Sequence, residues 1–174
     1  YTFLDFARSR WSFSYFLFYL FLGFILLFLN RDLSTSILTL MNIILILSPL
    51  IGTIFGVIYY YNSREYTEIL LAQPINRETI FIAQYLGVAI SLSMSQVIGI
   101  GIPFVFYGLF ESYQVFNFIY LLSTGCFLTF IFTAISFNVA LNNENKIKGF
   151  SYSILISLFF ALIYDALFIT FLLI

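Results

Sequence analysis

The sequence predicts an all-α, polytopic membrane protein, and three observations support that fold class. Hydrophobic residues make up 62% of the 174 residues and charged residues only 9%, whereas soluble domains carry roughly 25% charged residues. The apolar residues form five long runs, and about 20 such residues suffice for a helix to cross a bilayer. None of the runs has the pattern of a strand. Because backbone groups in hydrocarbon must be satisfied within their own segment, each run predicts a transmembrane helix.

The predicted spans form a single transmembrane domain over residues 1–174. They cover residues 11–30, 37–61, 79–110, 118–141 and 150–174. The third span is longer than one crossing needs, so we expect it to be tilted, bent near Pro103 or interfacial at its start. The sequence ends on apolar residues at Ile174, and we therefore expect a sixth helix in the full protein.

The residues before the first span have an apolar face and a polar face at helical spacing. Phe3, Phe6 and Ala7 lie on one side, and Asp5 and Arg8 lie on the other. This pattern predicts a short helix over residues 1–10 that lies in the membrane interface.

The basic residues predict the orientation of the chain, because Lys and Arg in short loops stay on the cytoplasmic side. With the N-terminus inside, only Arg31 lies outside. The cytoplasmic basic residues are then Arg8, Arg10, Arg64, Arg77, Lys146 and Lys148. We therefore expect a multi-pass protein of the inner (plasma) membrane with a cytoplasmic N-terminus.

The composition also excludes several functions. The chain has no histidine, so the commonest general base and the commonest metal ligand are both missing. Its single cysteine, Cys126, has no second sulfur with which to share a metal, and a small apolar packing role suits it better. A net charge of −1 provides no basic patch for nucleic acid. We predict no catalytic residue, no metal site and no cofactor.

The polar segment between the second and third spans concentrates charge. It holds five of the fifteen charged residues, namely Arg64, Glu65, Glu68, Arg77 and Glu78. Ser63 is a suitable N-cap and Pro74 a suitable helix end, which predicts a short helix over residues 63–74.

This short helix is amphipathic. Its apolar stripe, at positions i, i+3, i+4 and i+7, consists of Tyr66, Ile69, Leu70 and Gln73. Either the bilayer surface or a soluble partner would cover the stripe. Glu65 and Glu68 favour a partner, because helices on a membrane surface usually carry Lys and Arg on the polar side.

The run from Arg64 to Arg77, followed by Gly87, resembles the coupling-helix region of ABC-2 type transporter permeases. The matching residues are Thr67, Glu68, Leu70, Leu71, Pro74 and Arg77. Tyr66 stands where the family often has Gly, and Gln84 stands where Lys is common. Within the family, three pairs are similar to the Nos-type permease of the nitrous-oxide-reductase maturation system: Gln73-Pro74, Pro49-Leu50 and Tyr164-Asp165.

The resemblance implies a six-helix permease that works in the lipid bilayer as a homodimer with two cytoplasmic ATPase subunits. It implies ATPase contacts at Arg64, Glu65, Tyr66, Glu68, Ile69, Leu70, Pro74 and Arg77. For Nos-type relatives it implies export of a sulfur species or other component for a copper-sulfur centre, with a periplasmic partner protein. The chain has no Gly-rich phosphate loop, so we expect ATP hydrolysis on a separate subunit and no enzymatic activity in this chain.

Asp165 is the ionisable residue well inside a predicted span. Intramembrane acids are costly and by default mark a pathway or a partner, which makes Asp165 the candidate functional residue of the membrane region. Alternatively, it lies near the outer interface or bonds to a hydroxyl such as that of Tyr164 or Ser157. The sequence leaves both interpretations open.

Two other classes of protein compete with the permease. The Tyr164-Asp165 pair is half of the signature of intramembrane aspartyl proteases, but that chemistry needs two aspartates that share a proton. Asp5 and Asp32 lie outside the spans, so a second aspartate would have to come from the expected sixth helix. The other class is a non-transporting membrane anchor or assembly protein.

Small and polar residues within the spans predict helix contacts. Gly52 and Gly56 form a Gly-x-x-x-Gly step, and the third span repeats small residues at Ser91, Ser95 and Gly99. Such positions let helices approach closely, and we expect packing within one chain rather than a dimer seam. For Gln96 and Asn138 the sequence leaves open whether they line a path or join helices by hydrogen bonds.

Overall fold

The computed structural model describes residues 10–30, 32–71, 76–109 and 113–173, and these residues form helices joined by short connections. The helices are α1 (Arg10–Asn30), α2 (Leu33–Asn62), α3 (Arg64–Leu71), α4 (Arg77–Phe106), α5 (Val115–Leu141) and α6 (Lys146–Leu173). All except α3 are long and apolar enough to cross a membrane. The predicted all-α membrane fold is therefore confirmed, while the interfacial helix over residues 1–10 falls almost wholly outside the described residues.

All five long helices begin before the predicted spans, and the difference is largest, four residues, for α2 and α6. At the start of α2, the carbonyl of Asp32 accepts two hydrogen bonds from Ser36. The backbone N–H of Ser36 donates one at 3.1 Å, and the hydroxyl of Ser36 donates the other at 2.8 Å. Polar residues thus form the first turn. At the start of α6, the side-chain oxygen of Asn145 accepts a hydrogen bond from the Ile147 N–H at 3.0 Å, so an N-cap rather than hydropathy determines where this helix begins.

Helix α2 is the centre of the bundle. It forms its most extensive contact with α5 and also packs against α6, α1 and α4, while α1 packs along α4. Helix α4 is the most buried, with 56% of its most apolar window inside the protein, against 17% for α6 over Lys146–Ile163. The helix α3 connects α2 to α4 at one polar end of the bundle, which is also the end where α5 is connected to α6.

Glycines permit the close approach of α2 to α5. A methyl group added at Gly52 would lie 3.3 Å from the carbonyl oxygen of Thr129, and one added at Gly56 would meet the hydroxyl of Ser136. The Gly-x-x-x-Gly step therefore packs two helices of the same chain.

The repeated small residues of α4 face α1. The hydroxyls of Ser12 and Ser95 lie 3.0 Å apart, and a methyl group added at Gly99 would lie 2.9 Å from the carbonyl oxygen of Phe16. Near the other end of this seam, Gly23 leaves room for the ring of Pro103. Small residues thus bring two backbones together along most of α1.

Candidate functional site

Helix α3 lies at the polar end of the bundle, in the connection between α2 and α4. It follows α2 directly, and the Thr67 N–H bonds the carbonyl of Ser63 at 2.9 Å. The hydroxyl of Ser63 donates to the Tyr60 carbonyl at 3.2 Å, so this side chain closes the end of α2 and not, as predicted, the start of α3. The described helix has eight residues and ends at Leu71.

One buried side chain ties α3 to the transmembrane bundle. Thr67 is 6% exposed, and its hydroxyl accepts a hydrogen bond from the Nε2 of Gln84, in α4, at 2.7 Å. The same hydroxyl donates to the Ser63 carbonyl at 2.8 Å. Sequence reasoning did not identify this contact, although a glutamine inside an apolar run was a signal for it.

The opposite side of α3 is exposed. Tyr66 and Ile69 are 54% and 65% exposed. Leu70 continues the helix, but its side chain lies outside the described residues, as does the whole of Pro74. The described part of the predicted stripe is therefore accessible to a partner.

The charged residues predicted to contact a partner are exposed as well. Arg64 Nε lies 3.4 Å from Glu68 Oε1, one helical turn away, with side chains that are 48% and 66% exposed. Such a pair contributes little to stability, so both side chains can be recruited by another protein. Glu65 is exposed on α3, and Arg77 is exposed at the start of α4.

A small cleft lies at the junction of α2, α3 and α4. Its volume is about 190 Å³, and its lining includes Tyr60, Thr67 and Phe81 together with the Arg64–Glu68 pair. The rings of Tyr60 and Phe81 are stacked, with centroids 6.3 Å apart. The cleft combines an aromatic wall with two charges and a hydroxyl, and its size suits one amino-acid side chain.

The connection between α5 and α6 lies beside α3. Tyr61 donates a hydrogen bond from its hydroxyl to the Asn143 carbonyl at 2.6 Å, and Arg64 Nη1 donates to the Glu144 carbonyl at 3.4 Å. Sequence reasoning missed this second segment, because the partners are about 80 residues apart in the chain.

Together with α3, this connection forms an exposed surface, which we call the α3 surface. It comprises the exposed residues Arg64, Glu65, Tyr66, Glu68, Ile69, Glu144, Lys146 and Ile147.

The polar groups within the spans have different surroundings. Gln96 is fully buried, and its Oε1 accepts hydrogen bonds from Ser48 at 3.4 Å and Thr129 at 3.3 Å, so it joins three helices. Asn138 is exposed near the end of α5. The backbone of Asp165 belongs to α6, but its side chain lies outside the described residues, and a functional role for it stays a prediction.

The fold and this surface define a multi-pass, all-helical membrane protein with an exposed helical surface at one polar end. In the part of the chain that the structure describes, no three His, Cys, Asp or Glu residues come together as metal ligands. No protein-family model matches the chain, and no curated protein or solved structure is detectably similar to it.

Proposed function

We propose that the chain is the permease subunit of an ABC transporter of the ABC-2 type. In this proposal it lies in the plasma membrane with its N-terminus in the cytoplasm, and it couples ATP hydrolysis by a separate ATPase subunit to export of a substrate. The observation that carries the proposal is the exposure of Tyr66 and Ile69 on a short helix that is tied to the bundle through Thr67. The resemblance of residues 64–77 to coupling-helix regions supplies the identity of the partner.

The contacts of α3 can pass a displacement of this helix to the transmembrane bundle. A partner that moves the exposed side of α3 acts on Thr67, whose hydrogen bond to Gln84 joins α3 to α4. The bond from Arg64 to the Glu144 carbonyl joins α3 to the connection between α5 and α6. A displacement of this short helix is therefore passed both to α4 and to the connection between α5 and α6.

The composition of the α3 surface favours a protein over the bilayer as its partner. Glu65 and Glu68 flank the exposed Tyr66 and Ile69, and carboxylates disfavour contact with anionic lipid headgroups. Large side chains amid charges are typical of protein interfaces, in which Tyr and Arg are enriched. In the proposed transporter, two permease chains each contact one ATPase.

The resemblance to Nos-type permeases extends the proposal to the cargo. It suggests export of a component for maturation of a copper enzyme, received by a periplasmic partner protein. Asp165 is the candidate residue of the membrane region on such a path, and transport by an Asp165→Asn variant is the matching experiment.

Co-purification tests the function. The tagged chain is expressed in its native host, extracted in mild detergent and assayed for associated ATPase activity. We expect the parent to recover ATPase activity, and Tyr66→Asp or Ile69→Asp to lose most of it, because a carboxylate would be forced into the apolar centre of the contact.

Tyr113→Asp is the matched control. Tyr113 is a fully exposed tyrosine in the connection between α4 and α5, at the other end of the bundle, so this variant should retain the parental ATPase recovery. A parent that recovers no ATPase, or a Tyr66→Asp variant that recovers as much as Tyr113→Asp, would contradict the proposal and favour a non-transporting membrane protein.

A further inference from the structure

Hydrogen bonds between helices hold α1, α2, α4 and α5 together. Ser12 bonds Ser95 between α1 and α4 at 3.0 Å, and the Tyr85 hydroxyl donates to the Phe130 carbonyl between α4 and α5 at 3.2 Å. Gln96 joins α4 to both α2 and α5. Interhelical polar contacts of this kind oppose sliding of one helix past another.

Helix α6 differs from these helices in how it contacts its neighbours within the membrane. Over residues 150–163, whose side chains are described, no side chain bonds another helix: Ser157 donates to the Ile154 carbonyl of its own helix, and the hydroxyl of Ser153 has no partner. Over residues 146–163 the buried stripe of α6 consists of Gly149, Ser153 and Ser157. Such small, smooth contacts allow helices to shift by shear.

An open cavity lies beside α6 near the middle of the spans. It has a volume of about 690 Å³ and lies between α2, α5 and α6. Its walls are almost entirely apolar, with Pro49 on α2, Ile131 on α5 and Phe160 on α6 among the lining residues. Of its lining residues, Phe127, Ile131 and Phe160 are 70%, 52% and 48% exposed, so the cavity opens to the surface that faces lipid. Helix α6 can move toward it without displacing close-packed side chains.

The polar end of α6, by contrast, is held by several contacts. Besides the bond from Tyr61 to the Asn143 carbonyl, Lys146 Nζ donates to the side-chain oxygen of Asn62 at 3.1 Å. The ring of Tyr61 also covers Gly149, where an added methyl group would lie about 3.0 Å from ring carbons. We call this group of contacts the Tyr61 clamp.

From these contacts we infer that α6 is the moving helix of the bundle and that the Tyr61 clamp makes its position follow the junction of α2 and α3. Displacement of that junction is passed to the first turn of α6, and α6 then shifts along its small-residue stripe, which opens or closes the cavity. The source of the displacement rests on the proposed function, but the clamp and the loosely held helix do not.

Distances between spin labels test the inference in the full chain, reconstituted in lipid nanodiscs. Nitroxides at Ile46→Cys on α2 and Ile163→Cys on α6, in a Cys126→Ser background, report across the cavity that both residues line. Tyr61→Phe removes only the hydroxyl of the clamp. We expect it to shift or broaden the distance distribution by about 2 Å, the scale of helix shear.

Tyr60→Phe is the matched control, since it removes the neighbouring hydroxyl and should leave the distribution unchanged. A second label pair, Ile46→Cys with Ile98→Cys on α4, reports on the hydrogen-bonded helices and should not respond to Tyr61→Phe. An unchanged Ile46–Ile163 distance in Tyr61→Phe overturns the inference, and so does an equal change in both label pairs, which would indicate general loosening.

A second variant perturbs the Tyr61 clamp from the side of α6. Gly149→Ala places a methyl group against the Tyr61 ring and should displace the first turn of α6, with the same effect on the Ile46–Ile163 distance. The measurement requires no ATPase. If Tyr61→Phe changes this distance while Tyr66→Asp retains all associated ATPase activity, the clamp stands and the proposed function fails.

Discussion

The side-chain amide of Gln84 donates a hydrogen bond to the hydroxyl of Thr67 over 2.7 Å, and both residues are almost completely buried. This contact joins a polar helix outside the spans to the most buried transmembrane helix. It also explains why a glutamine stands in an otherwise apolar turn of α4.

Thr67→Val should destabilise the protein by about 1 kcal/mol, because it leaves the buried amide of Gln84 without its acceptor. Thr39→Val is the control, since the Thr39 hydroxyl bonds only the Thr35 carbonyl of its own helix. Unfolding in mixed micelles at increasing SDS concentration measures both. Adding Gln84→Leu to Thr67→Val should recover part of the loss, because both polar partners are then removed. Equal stability of the two single variants would show that the contact contributes nothing.

Gly125→Ala should destabilise the protein. The added methyl group would occupy the position of the Gln96 side-chain amide, and overpacking of a core typically costs about 1–3 kcal/mol. Gly101→Ala has no atom within 4 Å of the added carbon and should be neutral or slightly stabilising. SDS titration compares the two variants, and a Gly125→Ala protein as stable as Gly101→Ala would contradict the packing of α4 against α5.

Cysteines at Ser12 and Ser95 should form a disulfide on mild oxidation, because their hydroxyl oxygens lie 3.0 Å apart and disulfides require side chains in near contact. The readout is protection from a maleimide-linked polymer in a Cys126→Ser background. Phe28→Cys with Ser95→Cys should stay reactive, since Phe28 lies near the far end of α1 and is 80% exposed. Cross-linking of the second pair to the same extent would refute the register of α1 on α4.

The two polar ends of the bundle should label from opposite sides of the membrane. Tyr66→Cys, on α3, and Tyr113→Cys, between α4 and α5, are separated by the whole length of α4. In sealed right-side-out vesicles, an impermeant maleimide should modify Tyr113→Cys at once and Tyr66→Cys only after permeabilisation. Labelling of both from one side would contradict the number of crossings, and the reversed pattern would contradict a cytoplasmic N-terminus.

The sequence was sufficient to place the long helices, because about 20 consecutive apolar residues have few alternatives in a membrane. It also predicted the short helix and the exposed residues Tyr66 and Ile69, since charge and helical spacing are local properties. Helix starts were less accurate, because polar residues such as Asp32 and Asn145 begin α2 and α6 through backbone and side-chain bonds.

The pairing of residues required the tertiary structure. No motif in the sequence pairs Tyr61 with Asn143 or Thr67 with Gln84, since the spacing along the chain differs for each pair. A glutamine in an apolar run indicates that Gln84 has a polar contact, but not which residue it contacts. The role of Thr67 shows this most clearly. Its place in the run 64–77 suggested a family resemblance, whereas its buried hydroxyl is the point at which α3 is joined to the bundle.

By itself, the sequence determined that this chain is a helical membrane protein with a charged helix between its second and third spans. Only the tertiary structure decided which faces of the apolar helices meet, why Gly52 packs against α5, and that Tyr61 contacts the first turn of α6 and the connection before it. The physical reason is that lipid is as apolar as a protein core, so hydropathy does not distinguish a buried face from one that faces lipid. Small residues and a few hydrogen bonds determine which face of a helix is buried, and these contacts join segments that are distant in the chain.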